Sequence, residues 1–144
     1  HSLTIQKCYI FSHTEKKITV KYIVENNSLE PVSFLWGTEM NVGLQGILRP
    51  EMTFRMHPKP FSCSMVQAGH RTFCSAVEWM FSEGRLHATI SESAHVFFYP
   101  VEVPKTEPSH IDMSFQGHCA MFGIPIALWA RERKEWIISC RWEN

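Results

Sequence analysis

Glu39 is the one carboxylate of this sequence that stands inside a strongly apolar segment. The segment, FLWGTEMNVGL, covers residues 34–44. A carboxylate is costly to bury unless it is paired or hydrogen-bonded. Two interpretations follow: Glu39 faces a polar cleft or a domain interface, or it accepts hydrogen bonds from neighbouring backbone donors in a sheet.

Residue types that act as nucleophiles are present, but not in the patterns that activate them. Ser64, Ser75 and Ser114 lack the flanking glycines of a nucleophile elbow. Cys119 directly follows His118, and adjacent strand residues point to opposite faces. No glycine-rich segment that could cradle a phosphate occurs. The sequence therefore predicts no serine- or cysteine-dependent catalysis and no phosphate-binding loop.

The cysteines and histidines predict neither disulfides nor a metal site. The five cysteines are an odd number without a CxxC pair, which favours a reducing compartment and small buried side chains. His70 with Cys74, and His118 with Cys119, are isolated fragments that lack the paired ligand spacing of a structural zinc site. We expect no cofactor and a cytoplasmic location.

Length and charge narrow the class of protein. A chain of 144 residues is typically one domain, so residues 1–144 are assigned to a single unit. Its 14 basic residues balance 14 acidic ones, whereas nucleic-acid partners require a basic face. No apolar run is long enough to cross a bilayer. Because the chain starts at His1, we expect it to be a segment of a longer polypeptide.

Alternating apolar residues predict strands along most of the chain. In residues 18–24, the side chains of Ile18, Val20, Tyr22 and Val24 share one face. Residues 32–44 form a predicted long strand, with Gly37 and Gly43 at bulge or close-packing positions. Further strands are predicted at residues 3–9, 72–81, 85–91, 95–101, 118–128 and 136–142.

Polar clusters and prolines mark the predicted connections. Turns are expected at residues 12–16, 25–28, 82–84 and 92–94, and a hairpin connection at residues 130–135. The proline-bearing residues 49–62 are predicted as loop or edge strand, and residues 102–114 as a surface loop. Roughly eight to ten short strands favour an all-β sandwich or barrel over an α+β domain with one helix.

The five tryptophans allow two interpretations. Flat indole faces stack on sugar rings, which would make the chain a carbohydrate-binding module. The usual role of tryptophan is to pack in a core or a domain interface with its N–H satisfied. Trp36 and Glu39 lie three residues apart, so a regular strand places them on opposite faces unless Gly37 forms a bulge.

Two segments together resemble the C-terminal β-sandwich of glycoside hydrolase family 57, the α-amylase and 4-α-glucanotransferase type. The first contains the turn at residues 25–28 followed by the strand with Glu39-Met40-Asn41. The second contains Tyr99-Pro100-Val101, a polar stretch and the Gln116-Gly117 pair, and ends in residues 122–142. The resemblance covers nearly the whole chain. In the polar stretch between Val101 and Gln116, only Glu107 and Asp112 keep the acidic character of the family loop.

The resemblance implies an antiparallel, supersandwich-like β-sandwich without catalytic residues. The catalytic carboxylate pair of this family lies in a separate N-terminal barrel, so none of its residues maps here. The implied partner is that catalytic domain in the same polypeptide, with α-glucan as a candidate ligand. A free-standing carbohydrate-binding module and a protein-interaction domain are the alternatives. The candidate cleft or interface residues are Trp36, Glu39, Trp79, Glu107 and Gln116.

Overall fold

The alternation of apolar and polar residues produces an all-β antiparallel fold. The structure, a computed structural model, describes residues 2–44, 52–107 and 110–144, except for the side chain of Glu107. Its described residues form nine strands: β1 (Leu3–Ser12), β2 (Lys17–Asn26), β3 (Val32–Gly43), β4 (Thr53–His57), β5 (Phe61–Ser64), β6 (Gly69–Phe81), β7 (Gly84–Glu107), β8 (His110–Leu128) and β9 (Arg133–Glu143).

Strand β7 is long enough to belong to both layers of the sandwich. Its first part, Arg85–Ile90, pairs with β9, and its second part, from His95 onward, pairs with β8. Strand β6 follows β7 through both parts. The first layer therefore has the order β1-β2-β9-β7-β6-β4-β5, and the second has the order β3-β8-β7-β6.

The core lies between the two layers and is rich in aromatic rings. Trp36 of β3 makes edge contacts with Tyr22 of β2 and Trp136 of β9, at centroid distances of 5.6 and 5.4 Å. Phe54 of β4 lies 5.2 Å from Phe98 in the second part of β7. Offset and edge contacts of this kind add to the stabilisation from apolar burial.

Most of the predicted strands are confirmed, and so is the all-β class. Strands β1, β2, β6, β8 and β9 contain the segments predicted for them, and β3 covers all of its predicted segment except Leu44. The turns before Lys17 and Gly84 fall where expected. Cys63, Cys74 and Cys119 are buried and unpaired, in agreement with their interpretation as small core residues. No helix in the described ranges is long and apolar enough to cross a membrane.

The prediction of loop or edge strand for residues 49–62 is wrong for β4. Strand β4 lies between β5 and β6 in the first layer and is therefore an interior strand. Pro58 and Pro60 fall in the turn that connects β4 to β5, so they remove no donor from the β4 ladder. Residues 49–51 of this prediction lie outside the described chain.

Two connections predicted along β7 are also wrong. Glu92-Ser93-Ala94 is not a turn, because β7 continues through it where the strand passes from one layer to the other. The described part of residues 102–114 is strand and not loop: Glu102–Glu107 of β7 pairs with His110–Phe115 of β8 as a two-stranded extension. Pro104 fits there because this part of β7 pairs on one side only.

The predicted hairpin between the last two strands is replaced by a crossing between layers. β8 pairs with β3 and β7, whereas β9 pairs with β2 and β7. The buried Asn26 stabilises this crossing, because its Nδ2 donates hydrogen bonds to the carbonyl oxygens of Trp129 at 2.9 Å and Glu30 at 2.7 Å. Gly37 and Gly43 form no bulge, because the β3–β8 register is unbroken.

Candidate functional site

Strand β1 extends beyond the layer that would cover it. All its residues except Ser12 are exposed, and it pairs only with β2. Register aligns Ile5 with Val24 and Lys7 with Tyr22, so one face of β1 continues the core face of β2. The second layer ends at β3, which packs over β2 and β9 and leaves this face of β1 uncovered.

The uncovered face is predominantly apolar. We call it the β1 overhang and define it by four residues of β1 and β2. Their exposed fractions are 52% for Ile5, 52% for Tyr9, 72% for Phe11 and 45% for Ile18. Apolar residues at alternate positions of an uncovered edge strand are typical of a surface that packs against another protein surface.

A groove of about 430 Å³ separates the β1 overhang from the edge of β3. Lys7, Tyr9 and Tyr22 line one side, and residues 38–42 of β3 line the other. The Lys7 ammonium lies 4.9 Å from the Tyr9 ring centroid and 5.3 Å from that of Tyr22. Hydrogen bonding to Tyr9 raises the pKa of Lys7. The groove thus offers aromatic faces, one cation and the unpaired edge of a long strand.

Glu39 stands on the outer face of β3, next to this groove. Its Oε1 accepts hydrogen bonds from Tyr99 Oη at 2.8 Å and from Cys119 Sγ at 3.3 Å. These bonds, with that from Tyr99 the largest, hold the pKa of Glu39 below its usual range. Bonds to Cys119 and Glu39 raise the pKa of Tyr99, and burial raises that of Cys119 to about 11. Glu39 is therefore an exposed carboxylate with side-chain partners rather than a buried backbone cap.

The two candidate tryptophans lie in different surroundings. Trp36 is half-buried on the inner face of β3, and its Nε1 donates to Thr38 Oγ1 at 3.0 Å. As the regular strand predicts, it faces away from Glu39. Trp79 has no exposed surface, and its Nε1 donates to His118 Nδ1 at 3.0 Å. Trp79 is a core residue and presents nothing to a cleft, so we remove it from the candidate site.

Gln116, a further predicted residue, does not join Glu39. Gln116 lies on β8 at the end of β3, where its carbonyl oxygen accepts from the Leu44 amide at 2.8 Å. Its Nε2 donates to Ser114 Oγ at 3.0 Å. Glu107 ends β7, and its side chain lies outside the described part of the molecule. Of the predicted residues whose side chains the structure describes, Glu39 alone lines the groove.

Among the described residues, two carboxylates that the sequence did not predict to be close, Glu78 and Glu143, meet at Arg85. Arg85 donates from Nη1 to Glu78 Oε1 at 2.9 Å and from Nε to Glu143 Oε2 at 2.6 Å. His57 Nε2 lies 3.1 Å from the second oxygen of the buried Glu78. Hydrogen bonds from Arg141 and Arg85 lower the pKa of Glu143 to about 2. The hairpin predicted at residues 82–84 was the available signal for the proximity of Glu78 and Arg85.

This cluster is built to hold charge, not to transfer protons. A general acid in glycoside hydrolysis needs a carboxyl group whose pKa is raised. The shared Arg85 has the opposite effect on Glu143, because a neighbouring cation favours the ionised form. We assign the cluster to the stability of the first layer.

Comparison with known proteins identifies the family whose model matches this chain. The model of a family described as "Alpha-amylase/4-alpha-glucanotransferase, C-terminal" matches residues 1–124. No curated protein matches the chain. Among solved structures, the chain is similar to 4-alpha-glucanotransferase from Thermococcus litoralis, with 15% sequence identity and a TM-score of 0.67. That alignment covers 96% of this chain and 18% of the other chain.

Because the family model matches most of its length, the chain belongs to the family of alpha-amylase/4-alpha-glucanotransferase C-terminal domains. The structural similarity, at its low sequence identity, shows a shared fold alone. The resemblance inferred from the two sequence segments is therefore confirmed at the level of this family.

Proposed function

We propose that this chain is the non-catalytic C-terminal domain of an α-glucan-acting glycoside hydrolase or transglycosylase of the family 57 type. It packs against a catalytic barrel in the same polypeptide and supports one wall of the substrate cleft. The observation that carries this proposal is the β1 overhang, a core-type face without a covering strand. The family assignment supplies the partner.

The energetics of the overhang favour a permanent partner. Full burial of a large apolar side chain stabilises a protein by roughly 1.5–3 kcal/mol relative to leaving it exposed. Ile5, Tyr9, Phe11 and Ile18 would each gain part of this free energy on docking. The neighbouring groove would place Lys7 and Glu39 at the rim of the same interface, where charged groups are commonly found.

One experiment separates the supporting role from catalysis by this chain. The purified chain is incubated with maltooligosaccharides, and products are followed by chromatography. We expect no cleavage and no transfer, because Glu78 and Glu143 share the cation Arg85, which favours the ionised form of a carboxylate. Turnover by the chain alone would defeat the non-catalytic assignment.

A second experiment tests the proposed interface. In the longer polypeptide that the proposal requires, Phe11→Glu is expected to lower the melting temperature and the glucan-converting activity. In the 144-residue chain alone it should leave the melting temperature nearly unchanged, since Phe11 is already exposed. Gln6→Glu, on the opposite face of β1, is the matched control. Equal effects of the two variants would show that the overhang is not the interface.

Carbohydrate binding by the chain itself is the second candidate function. Tyr9 and Phe11 present exposed rings that are nearly parallel, with 13° between planes and centroids 6.4 Å apart. Calorimetric titration with maltooligosaccharides distinguishes the candidates, with Tyr9→Ala as the test variant. Saturable binding that this variant abolishes would favour the binding module. A complex with an unrelated protein through the same face would favour an interaction domain.

We also propose a cytoplasmic location. All five cysteines are unpaired thiols, and three of them lie in the core. Free thiols are the normal state in a reducing compartment, whereas secreted domains of this size commonly form disulfides. After cell fractionation, we expect to detect the protein in the cytoplasmic fraction. Its recovery from the culture medium would contradict this location.

A further inference from the structure

Two histidines meet on the outer face of the second layer, away from the β1 overhang. Nε2 of His70 on β6 lies 3.2 Å from Nδ1 of His95 on β7. The two rings are parallel within 1°, with centroids 5.4 Å apart. His70 is exposed and His95 is half-buried, so both nitrogens lie next to solvent.

His70 and His95 are diagonal neighbours on one face of the β6–β7 pair, and a β-bulge begins beside them. The β6–β7 register pairs Arg71 with Val96 and then Cys74 with Ala94, so Thr72 and Phe73 both stand opposite His95. Phe73 has a positive φ of 59°, a conformation that is uncommon for a residue with a bulky side chain. Bulges increase the local twist and redirect side chains, and they are frequent beside functional sites.

Neighbouring side chains hold His70 in place. Its ring stacks on Phe97 with 16° between planes and a centroid distance of 4.3 Å. The Arg71 guanidinium donates to the His70 carbonyl oxygen at 2.8 Å and lies 4.1 Å from the centroid of the Phe61 ring. Since Arg71 and His70 are adjacent in a strand, the guanidinium leaves the opposite face of β6. The His70 ring is thus ordered by its neighbours, and the Arg71 guanidinium is engaged on the other face.

The separation of the two nitrogens fits a metal ion. Two imidazole nitrogens bound at 2.0–2.1 Å to tetrahedral zinc are separated by roughly 3.3–3.4 Å. The observed 3.2 Å is close to this value. The two nitrogens share a hydrogen bond, so one of them carries a proton that has to move to the other nitrogen of its ring when an ion binds. Each ring then has to turn by about 40° to direct its lone pair at a shared ion. The broad χ2 torsion of histidine allows such a turn.

We propose that His70 and His95 bind one divalent transition-metal ion of the zinc type. Imidazole nitrogens suit Zn²⁺, Cu²⁺ and Ni²⁺, whereas Mg²⁺ and Ca²⁺ require oxygen ligands. The described residues contain no group of three or more metal-ligating side chains, so water completes the coordination shell. The site is therefore an open, exchangeable one rather than a closed structural zinc site. The proposal goes beyond the supporting role, because it requires neither glucan nor a catalytic domain.

Calorimetric titration of the chelator-treated chain with Zn²⁺ tests the proposal. We expect saturable binding of one ion per chain. His70→Asn and His95→Asn should each weaken it by more than about tenfold, since loss of even an outer partner of a metal ligand costs roughly 10-fold to 100-fold. His13→Asn, in the exposed turn between β1 and β2, is the matched control and should bind as the unmodified chain does.

Two results would overturn the proposal. One is the absence of Zn²⁺ binding up to millimolar concentration by the folded chain. The other is binding that persists when both His70 and His95 are replaced, which would assign the ion to other ligands such as the exposed Cys8. Circular dichroism of each variant verifies that the fold is retained, and replacement of solvent-facing side chains is not expected to unfold it.

Discussion

Acidification is expected to destabilise this domain through His118, a histidine with no exposed surface. Its Nδ1 accepts the indole proton of Trp79, so the neutral ring carries its own proton on Nε2. That atom has no hydrogen-bond partner among the described residues. Burial lowers the pKa of His118 from 6.5 to about 4. The core therefore strongly prefers the uncharged ring.

The sign and size of the effect follow from linkage between protonation and folding. Because the folded pKa lies below the unfolded one, the unfolded chain takes up a proton first as the pH falls. The contribution of His118 to stability is complete above an unfolded pKa of about 6.5 and is lost as the pH falls toward about 4. A shift of this size corresponds to about 3 kcal/mol of unfolding free energy.

Urea unfolding of the unmodified chain and of His118→Gln at several pH values measures this contribution. The glutamine oxygen can accept the Trp79 indole proton without titrating. Between about pH 7 and pH 4 the unmodified chain should lose about 3 kcal/mol more than the variant. Acidic residues such as Glu143 titrate equally in both proteins, so their effect cancels in this difference. His13→Gln should lose as much as the unmodified chain. Parallel curves for the unmodified chain and His118→Gln would refute the reasoning.

Three further predictions concern side chains whose surroundings differ sharply. Ile138 of β9 is buried and its neighbour Ile137 is 40% exposed. Urea unfolding should show that the free energy of unfolding falls by about 2–4 kcal/mol for Ile138→Ala and by under about 1 kcal/mol for Ile137→Ala. Equal losses would contradict the orientation of β9. Glu78→Gln should destabilise the domain by about 2 kcal/mol in the same assay, because the buried acceptor of an arginine loses its charge; an unchanged midpoint would show that the ion pair adds nothing. Mass spectrometry after brief treatment with iodoacetamide should show alkylation of the exposed Cys8 and not of the buried Cys119, whose pKa is raised to about 11; comparable labelling of both would indicate an open second layer.

The strands were predictable because apolar alternation has a period of two. Residues 18–24 and 32–44 show that period clearly, and both became strands in the expected orientation. The two-stranded extension at the end of β7 was not predictable in this way. Its side chains from Glu102 to Thr106 are exposed on both faces, so the ladder leaves no apolar pattern in the sequence.

The pairing of strands and the candidate site required the structure. Alternation cannot distinguish a polar turn from a polar position within a strand, so the sequence of Glu92-Ser93-Ala94 predicts a turn where β7 in fact continues. The hydrogen-bond partners of Glu39, Tyr99 and Cys119, come from β7 and β8, 60 and 80 residues further along the chain. Sequence could identify Glu39 as unusual, but only the fold brings Tyr99 next to it.

The passage of β7 from one layer into the other has a mechanical consequence. If the two layers of a sandwich are joined only by flexible connections, the layers can move apart. Here β7 is one continuous strand that is hydrogen-bonded to neighbours in both layers, so the layers cannot separate unless one of these ladders breaks. The domain should therefore move as one rigid body, and a force applied to one edge should be transmitted to the other edge without bending at a hinge.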